Sequence, residues 1–218
     1  MVEMDIKEYL QQLNETKQAP SWIKQIEQYA IEHNVPIMEP VGISFLKQCV
    51  QLRKPNKILE IGTAIGYSSL QMIEAYRDTT IITLERNPEM IEVAKKNIRD
   101  QNIEDAIHIL EGDALELGAT VAQYAPFDMI FIDAAKGQYK RFFELYEPML
   151  SNEGVIITDN VLFKGYVANE TNAPKRLKSM IKKIQDYNNW LIQRNDYETN
   201  IYPIGDGIAL SIRKQMKK

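Results

Sequence analysis

The chain alternates between short apolar runs and amphipathic segments. From residue 57 onward, the apolar runs predict β-strands at residues 57–61, 80–84, 107–110, 129–132 and 154–158. The segments between them carry apolar residues every three to four positions, which predicts helices at residues 66–76, 88–100, 113–124 and 138–150. This alternation is typical of βαβ units, so we expect a parallel sheet with helices on both faces.

The two ends of the chain follow different patterns. Three helices are predicted before the first strand, at residues 5–13, 20–36 and 41–52, and the loop at residues 37–40 could reach a site on the sheet. The fifth strand is followed by a loop at residues 161–172, a helix at residues 174–186, and strands at residues 197–203 and 208–213. A tight glycine-containing turn joins these last two strands, as in a β-hairpin.

These elements predict an α/β, Rossmann-like fold. The mostly parallel sheet would have seven strands and would be closed by an antiparallel C-terminal hairpin. We expect one domain covering residues 1–218, with N-terminal helices at residues 1–55 and the Rossmann-like core at residues 56–218.

Composition narrows the class of protein. The 218 residues are 44% hydrophobic and 26% charged, as in ordinary globular proteins. No apolar run approaches the ~18 residues of a membrane span, and the first residues lack a signal-peptide pattern. The single cysteine, Cys49, fits a reducing compartment, so we expect a cytoplasmic protein without membrane contact. Two histidines and one cysteine leave little for zinc, so any metal would have oxygen ligands, as magnesium or calcium does.

Acidic residues lie at the carboxyl ends of the first three strands. Glu60 precedes the glycine turn that contains Gly62, and it could bind an amino group or act through water. Glu85 ends the second strand, 23 residues after Gly62, where an acid accepts both hydroxyls of a ribose. Asp113 follows the third strand and could accept a hydrogen bond from an adenine amino group. Taken singly, each could be a helix cap or a turn residue. Together they predict a site for a nucleoside without phosphates.

A second polar group follows the fourth and fifth strands. Asp133 and Lys136 come after the apolar run at residues 129–132, and Asp159 and Asn160 come after the run at residues 154–158. Ligands in open α/β sheets bind beyond the carboxyl ends of the strands, so these side chains could meet in one site. The alternative is that Asp133 caps the following helix and that Asp159 and Asn160 belong to an ordinary turn.

The cofactor half resembles the class I S-adenosylmethionine-dependent methyltransferases. The resemblance covers most of the chain from residue 57 onward. It implies that Gly62 and Ser68 hold the methionine end of the cofactor and that Met38 lies against it. It also implies that Glu85 holds the ribose, and that Asp113 and Ala114 hold the adenine.

The reaction half resembles a narrower group. The spacing Asp133, Lys136, Tyr139, followed by Asp159 and Asn160, is similar to that of metal-dependent O-methyltransferases of the catechol and caffeoyl-coenzyme A type. This resemblance implies a metal ion, Mg²⁺ with Mn²⁺ or Ca²⁺ as alternatives, held by Asp133, Asp159 and Asn160. It also implies that Lys136 is the general base and that Asp133 contacts the cofactor amino group. Relatives of this type commonly form homodimers, which we also expect here.

The acceptor is predicted from charge and from overall resemblance. Residues 164–183 contain six basic side chains and one acid in a chain of net charge −4. They could be an ordinary solvated helix face or a rim that contacts phosphate groups. The candidate RNA contacts are Arg141, Lys164, Lys175, Arg176, Lys178 and Lys182, with Arg194 and the tail at residues 214–218 as additions.

The whole chain is similar to bacterial tRNA 5-hydroxyuridine methyltransferases, which implies tRNA as partner and the wobble 5-hydroxyuridine as acceptor. Ala134 and Ala135 stand where the animal catechol enzymes have bulky residues, which predicts an open mouth. The alternatives are a small catechol or caffeoyl-type phenol as acceptor, and a non-catalytic module that binds nucleosides or RNA.

Overall fold

The computed structural model describes residues 9, 13, 19–169, 171 and 173–214. The helix predicted for residues 5–13 and the tail beyond residue 214 therefore lie almost wholly outside the described residues. The described part contains one seven-stranded sheet with the strand order β3-β2-β1-β4-β5-β7-β6. Its strands are β1 (Lys57–Ile61), β2 (Thr80–Glu85), β3 (Ile107–Glu111), β4 (Phe127–Ile132), β5 (Leu150–Thr158), β6 (Tyr197–Tyr202) and β7 (Ile208–Arg213).

The first five strands are parallel, and the last two are antiparallel to their neighbours. The predicted fold class is thus confirmed. The α-helices that cover the sheet are α1 (Ser21–His33), α2 (Pro40–Arg53), α3 (Tyr67–Ala75), α4 (Pro88–Asp100), α5 (Gly118–Val121), α6 (Tyr139–Tyr146) and α7 (Lys178–Gln193). Short 3₁₀ turns flank α5, α6 and α7.

Alternating side chains along each strand supply two apolar cores. Ile58, Met129 and Phe131 pack on one face of the sheet against α1, α2 and α3. Leu59 and Ile130 pack on the other face against α6 and α7. The sequence reads as continuous apolar runs because both faces of a parallel sheet are buried.

Several predicted elements have other bounds in the structure. The helix expected at residues 113–124 is only the short α5, because the Asp113 carboxylate accepts a hydrogen bond from the Leu115 N–H (2.9 Å) and holds a turn there. The helix expected at residues 138–150 ends at Tyr146. The strand β5 instead begins at Leu150, which pairs with Phe127.

The last helix runs to residue 193 rather than to residue 186. Its apolar stripe continues through Tyr187 and Leu191, both of which are buried against the sheet. No helix in the described part of the chain is long and apolar enough to cross a membrane.

The parallel topology decides where a site can form. The carboxyl ends of β1, β2, β3, β4 and β5 lie at the same edge of the sheet, and the acids singled out in the sequence lie at these strand ends or in the turns that follow them. The loop between α1 and α2 and the β6–β7 turn reach the same edge, since both line one cleft there.

Candidate active site

A cleft of about 630 Å³ opens at the carboxyl edge of the sheet. It brings together all but one of the cofactor and metal residues predicted from the sequence, the exception being Glu60. The predicted residues that line it are Met38, Gly62, Ser68, Glu85, Asp113, Ala114, Asp133, Lys136, Asp159, Asn160 and Lys164.

The turn after β1 has to contain glycine at position 62. Its φ angle is +104°, and a Cβ atom there would lie 2.1 Å from the Asp133 carbonyl oxygen. The Gly62 N–H donates to the Leu84 carbonyl (3.0 Å), and the Asp133 N–H donates to the Ile61 carbonyl (3.0 Å). The turn therefore packs tightly between β2 and β4. Because Gly62 has no side chain, a ligand in the cleft can approach its backbone closely.

Glu60 lies beneath this turn rather than in the cleft. It is fully buried, and its carboxylate oxygens accept hydrogen bonds from the hydroxyl groups of Ser68, Ser69 and Thr83. Burial raises the pKa of Glu60 from 4.5 to about 7, against the opposing effect of the three hydroxyl donors. The expectation that Glu60 contacts the cofactor is therefore not supported. The strand direction turns this side chain into the protein, where it joins the first helical turn of α3 to the sheet.

The acids that follow β2 and β3 do face the cleft. Glu85 accepts hydrogen bonds from the backbone N–H groups of Ala64, Arg86 and Asn87, each at 2.9 Å. A carboxylate has about four acceptor positions, so Glu85 keeps room for a ligand hydroxyl. Asp113 forms a 3.2 Å ion pair with Arg86, and its side chain is 36% exposed. Both acids lie where a nucleoside in this cleft would meet them.

The apolar wall of the cofactor half comes from the loop between α1 and α2 and from α3. Met38 is buried against Gly42 and lines the cleft. Tyr67 also lines it and donates a hydrogen bond through its hydroxyl group to Glu27 in α1 (2.7 Å). Tyr67 is not among the site residues predicted from the sequence, because an aromatic residue in a helix that covers a sheet looks like an ordinary core residue.

Asp133, Asp159 and Asn160 meet at the ends of the neighbouring strands β4 and β5. Asp159 is 3% exposed, and the Asn160 side-chain N–H₂ donates to its carboxylate (3.0 Å). Burial, followed by the charge of Asp133, raises the pKa of Asp159 to about 7. Burial also raises the pKa of Asp133, although the Lys136 charge opposes this. Two neighbouring carboxylates whose pKa values are both raised form a site that favours a cation.

The donor set fits a hard divalent metal ion. It offers two carboxylates and one amide oxygen from adjacent strand ends, which is the ligand chemistry that Mg²⁺ and Ca²⁺ prefer. The described residues contain no group of three or more histidine, cysteine, aspartate and glutamate side chains placed to hold a metal. A metal site here would therefore need the amide oxygen of Asn160 as its third protein ligand. Asn160 has a φ of +58°, a left-handed conformation that asparagine tolerates better than most residues.

Lys136 closes the reaction half of the cleft. Its ammonium group donates a hydrogen bond to the Asn160 Oδ1 atom and lies 5.7 Å from the centre of the Phe163 ring. Phe163 and Asp206 also line the cleft, although the sequence indicated only a loop and a hairpin turn at these positions. Ala134 and Ala135 line the same region, and no large side chain projects from either position.

The predicted RNA contacts fall into three groups. Lys164 lines the cleft, and Arg141 lies beside it, where its guanidinium group donates to Gln138 (3.1 Å). The other four are exposed residues at the start of α7 and in the 3₁₀ turn before it: Lys175, Arg176, Lys178 and Lys182.

Arg194, also named as a candidate RNA contact, belongs to the fold. Its guanidinium group pairs with Glu147 (2.7 Å) and lies over the rings of Trp190 (4.9 Å) and Tyr197 (5.1 Å). Because its side chain is only 17% exposed, it is not available to a macromolecular ligand.

Comparison with known proteins agrees with this geometry. A sequence profile of the O-methyltransferase family matches residues 13–214. A provisional caffeoyl-CoA O-methyltransferase from Staphylococcus aureus has 42% identity and a TM-score of 0.89, covering 95% of this chain and 99% of that one. An O-methyltransferase from Bacillus cereus, solved in complex with SAH, has 26% identity and a TM-score of 0.79, covering 90% of this chain and 92% of that one.

A curated relative gives the same result over a shorter stretch. The catechol O-methyltransferase of Niastella koreensis is 37% identical over 132 residues, which is 59% of each chain. The family profile and the Staphylococcus aureus structure each cover nearly the whole chain, including both halves of the cleft. The chain therefore belongs to the family of S-adenosylmethionine-dependent O-methyltransferases.

Proposed function

We propose that this protein is a metal-dependent O-methyltransferase that converts 5-hydroxyuridine at the wobble position of tRNA to 5-methoxyuridine, with S-adenosylmethionine as methyl donor. Three features meet in one cleft and carry this proposal: a cofactor half lined by the strand-end acids, a set of oxygen donors that includes the buried Asp159, and the Lys136 amine beside that set.

The cofactor half supplies contacts for each part of the methyl donor. Gly62 and Ser68 would hold the methionine end, and Glu85 would accept the ribose hydroxyl groups. Asp113 and Ala114 would hold the adenine, while Met38 supplies an apolar surface. Asp133 lies between the two halves and could accept from the cofactor amino group.

The metal set would be Asp133, Asp159 and Asn160, with Mg²⁺ as the proposed ion and Mn²⁺ or Ca²⁺ as alternatives. A divalent ion bound there would stabilise the ionised form of an acceptor hydroxyl and fix two vicinal oxygens of the acceptor. The raised pKa values of Asp133 and Asp159 support this role, because a cation offsets the cost of ionising both.

Lys136 is the proposed proton acceptor. In its neutral form it would take the proton of the acceptor hydroxyl. The oxygen of that hydroxyl then forms a bond to the methyl carbon of the donor as the carbon–sulfur bond breaks, which leaves an ether and a neutral thioether. Asn160 orients the amine by accepting its hydrogen bond, and Phe163 shields it from solvent on one side. Methyl transfer gains much of its rate from such positioning.

Two features favour 5-hydroxyuridine in tRNA as the acceptor: its vicinal oxygens and the basic side chains at the mouth of the cleft. The 5-hydroxyl and 4-carbonyl of 5-hydroxyuridine are vicinal oxygens, as are the two hydroxyl groups of a catechol. The small side chains at Ala134 and Ala135 leave room for an acceptor that is attached to a larger molecule. Basic side chains lie on one side of the mouth: Lys164 lines it, and Lys183 lies against Gly137 in the turn that carries Lys136. These amines could contact the phosphates that flank the target nucleotide.

The second candidate acceptor is a small catechol or caffeoyl-type phenol. It is favoured by the activities named for two of the relatives, catechol and caffeoyl-CoA O-methylation. Both candidates need the same metal set and the same amine, so the site alone does not separate them.

An assay that offers each acceptor separately distinguishes the two candidates. Purified protein with labelled S-adenosylmethionine and Mg²⁺ would be offered either tRNA that contains 5-hydroxyuridine or catechol. We expect efficient labelling of the tRNA. Efficient labelling of catechol with none of the tRNA would overturn the proposed acceptor while leaving the methyltransferase assignment intact.

A further inference from the structure

The turn between β6 and β7 packs against the segment that follows the proposed metal ligands. The Val161 N–H donates to the Gly207 carbonyl (3.0 Å), and the Leu162 and Phe163 N–H groups both donate to the Asp206 carbonyl (2.9 Å each). The Lys164 N–H donates to the carboxylate Oδ1 atom of Asp206 (3.1 Å). Four consecutive amide groups are therefore held by two residues of the hairpin turn.

This approach is close enough to require glycine at position 207. A Cβ atom there would lie 2.4 Å from the Leu162 Cγ atom and 2.7 Å from the Leu162 nitrogen, and the φ angle is +91°. The turn of the hairpin therefore packs directly against Leu162, in addition to connecting β6 and β7.

The segment it holds has an uncommon backbone. Phe163, Lys164 and Gly165 have φ angles of +35°, +54° and +74° in succession. A left-handed conformation is unfavourable for phenylalanine and lysine, and such residues keep it only when the surroundings impose it. The hydrogen bonds from Phe163 and Lys164 to Asp206 are the contacts that impose it here.

The strained segment places two side chains in the reaction half of the cleft. The Phe163 ring lies 5.7 Å from the Lys136 ammonium nitrogen, and both Phe163 and Lys164 line the cleft. Asp206 lines it as well and is partly buried. If residues 163–165 relaxed to the common right-handed conformation, both side chains would be directed elsewhere.

We propose that Asp206 is a positioning residue for the acceptor. Its carbonyl and carboxylate oxygens hold residues 162–164 in the left-handed turn, and that turn keeps Phe163 against Lys136 and Lys164 at the mouth. The assignment uses the methyltransferase activity of the family, and it holds for whichever acceptor enters the cleft. The closing hairpin of the sheet therefore belongs to the acceptor site as well as to the fold.

The first test measures the backbone without any acceptor. Hydrogen exchange of the Phe163 and Lys164 amide groups would be compared in the wild type, Asp206→Ala and Asp206→Asn. Loss of one hydrogen bond should speed exchange of the Lys164 amide about 10-fold in Asp206→Ala. Asp206→Asn should restore most of the protection, because an amide oxygen can accept the same bond. Equal exchange in all three proteins would overturn the proposal.

The second test measures kinetics with the acceptor that the wild type methylates. Asp206→Ala should raise the acceptor KM about 10-fold while the KM for S-adenosylmethionine stays within about twofold, and Asp206→Asn should recover most of the loss. The matched control is Asp128→Ala, since the Asp128 carboxylate also accepts from a backbone N–H, that of Asn56 (2.8 Å), but does not line the cleft. An Asp206→Asn variant as impaired as Asp206→Ala would show that the charge acts on the reaction directly, against this proposal.

The two tests separate this inference from the proposed acceptor. If the wild type methylates neither tRNA nor catechol, the proposed function fails, and the exchange measurement still decides whether Asp206 holds the turn.

Discussion

At the scale of single residues, the site depends on carboxylates whose surroundings disfavour their charge. Burial raises the pKa of both Asp133 and Asp159, and the charge of Asp133 raises the pKa of Asp159 further. Buried charges of one sign are costly unless a cation or hydrogen bonds compensate them. A metal-binding role accounts for keeping two such groups side by side, whereas a role as helix cap or turn residue would not require it.

Replacing Asp159 tests that role. We expect Asp159→Ala to lower kcat for methyl transfer by more than about 100-fold, equivalent to about 2.7 kcal/mol, because a ligand of the proposed metal is lost. Calorimetry should show that S-adenosylmethionine still binds with nearly its original affinity, since Asp159 lies in the reaction half. If the variant and a chelator-treated wild type both kept full activity, the metal assignment would be wrong.

Glu60 predicts a specific pH dependence of stability. Its pKa is about 7 in the folded protein against 4.5 for an unperturbed glutamate, so the folded state holds this proton more tightly than the unfolded state. Its contribution to stability is therefore complete below pH 4.5 and is lost as pH rises to about 7.

The isosteric variant Glu60→Gln has no such proton to lose. Relative to the wild type, we expect it to gain up to about 3 kcal/mol in the free energy of unfolding between pH 5 and pH 8. Urea denaturation of both proteins across this range measures the difference. A constant difference at every pH would contradict the assignment of a neutral, buried Glu60.

At the scale of elements, each strand with the turn after it forms one functional unit. The apolar runs specified the strands well, because a strand buried on both faces admits few polar residues. The positions of Glu85, Asp113, Asp133 and Asp159 followed from the topology, since carboxyl ends of parallel strands share an edge.

Contacts between segments that are distant along the chain could not be predicted from the sequence. Glu60 follows the same strand-end pattern as Glu85, but the alternation along β1 turns it inward onto three hydroxyl groups. Asp206 looked like a turn residue because its partners, residues 162–164, lie more than 40 positions away. The prediction of a helix at residues 113–124 was wrong because the hydrogen bond from the Leu115 N–H to the Asp113 side chain competes with helix formation.

The turn after β1 can be tested by comparing two glycines. We expect Gly62→Ala to lose more than about 3 kcal/mol of stability, because the φ angle of +104° is unfavourable and the added Cβ would meet the Asp133 carbonyl. Gly165→Ala, with a φ of +74° and nothing within 4 Å, should lose only about 1–2 kcal/mol. Thermal unfolding of both variants gives the comparison, and equal losses would mean that the tight packing at Gly62 costs nothing.

At the scale of the whole molecule, the charges are unevenly distributed. The chain has a net charge of −4, yet basic side chains gather at the start of α7 and beside the mouth of the cleft. The acidic Glu170, counted in the same stretch, lies outside the described residues. The expected homodimer stays a prediction, and the exposed apolar side chains of Leu52 and Ile212 are candidates for its interface.

Two similar lysines provide a matched test of tRNA binding. Lys182 pairs with Asp186 on α7, and Lys96 pairs with Asp100 on α4, each through an exposed ion pair four residues apart. Replacing either with glutamine should cost about the same small stability, roughly 0.3–0.5 kcal/mol. We expect only Lys182→Gln to weaken tRNA binding and to reduce its salt dependence by about 0.7–0.9 in log–log slope. Identical tRNA affinities for the two variants would remove Lys182 from the proposed RNA-binding face.

Nucleoside analysis of tRNA by mass spectrometry tests most directly the proposal that this cleft methylates 5-hydroxyuridine in tRNA. In cells that lack the gene we expect 5-methoxyuridine to disappear and 5-hydroxyuridine to accumulate. The wild-type gene should restore the methylated nucleoside, and a gene carrying Asp159→Ala should not. Unchanged 5-methoxyuridine in the cells without the gene would contradict the account.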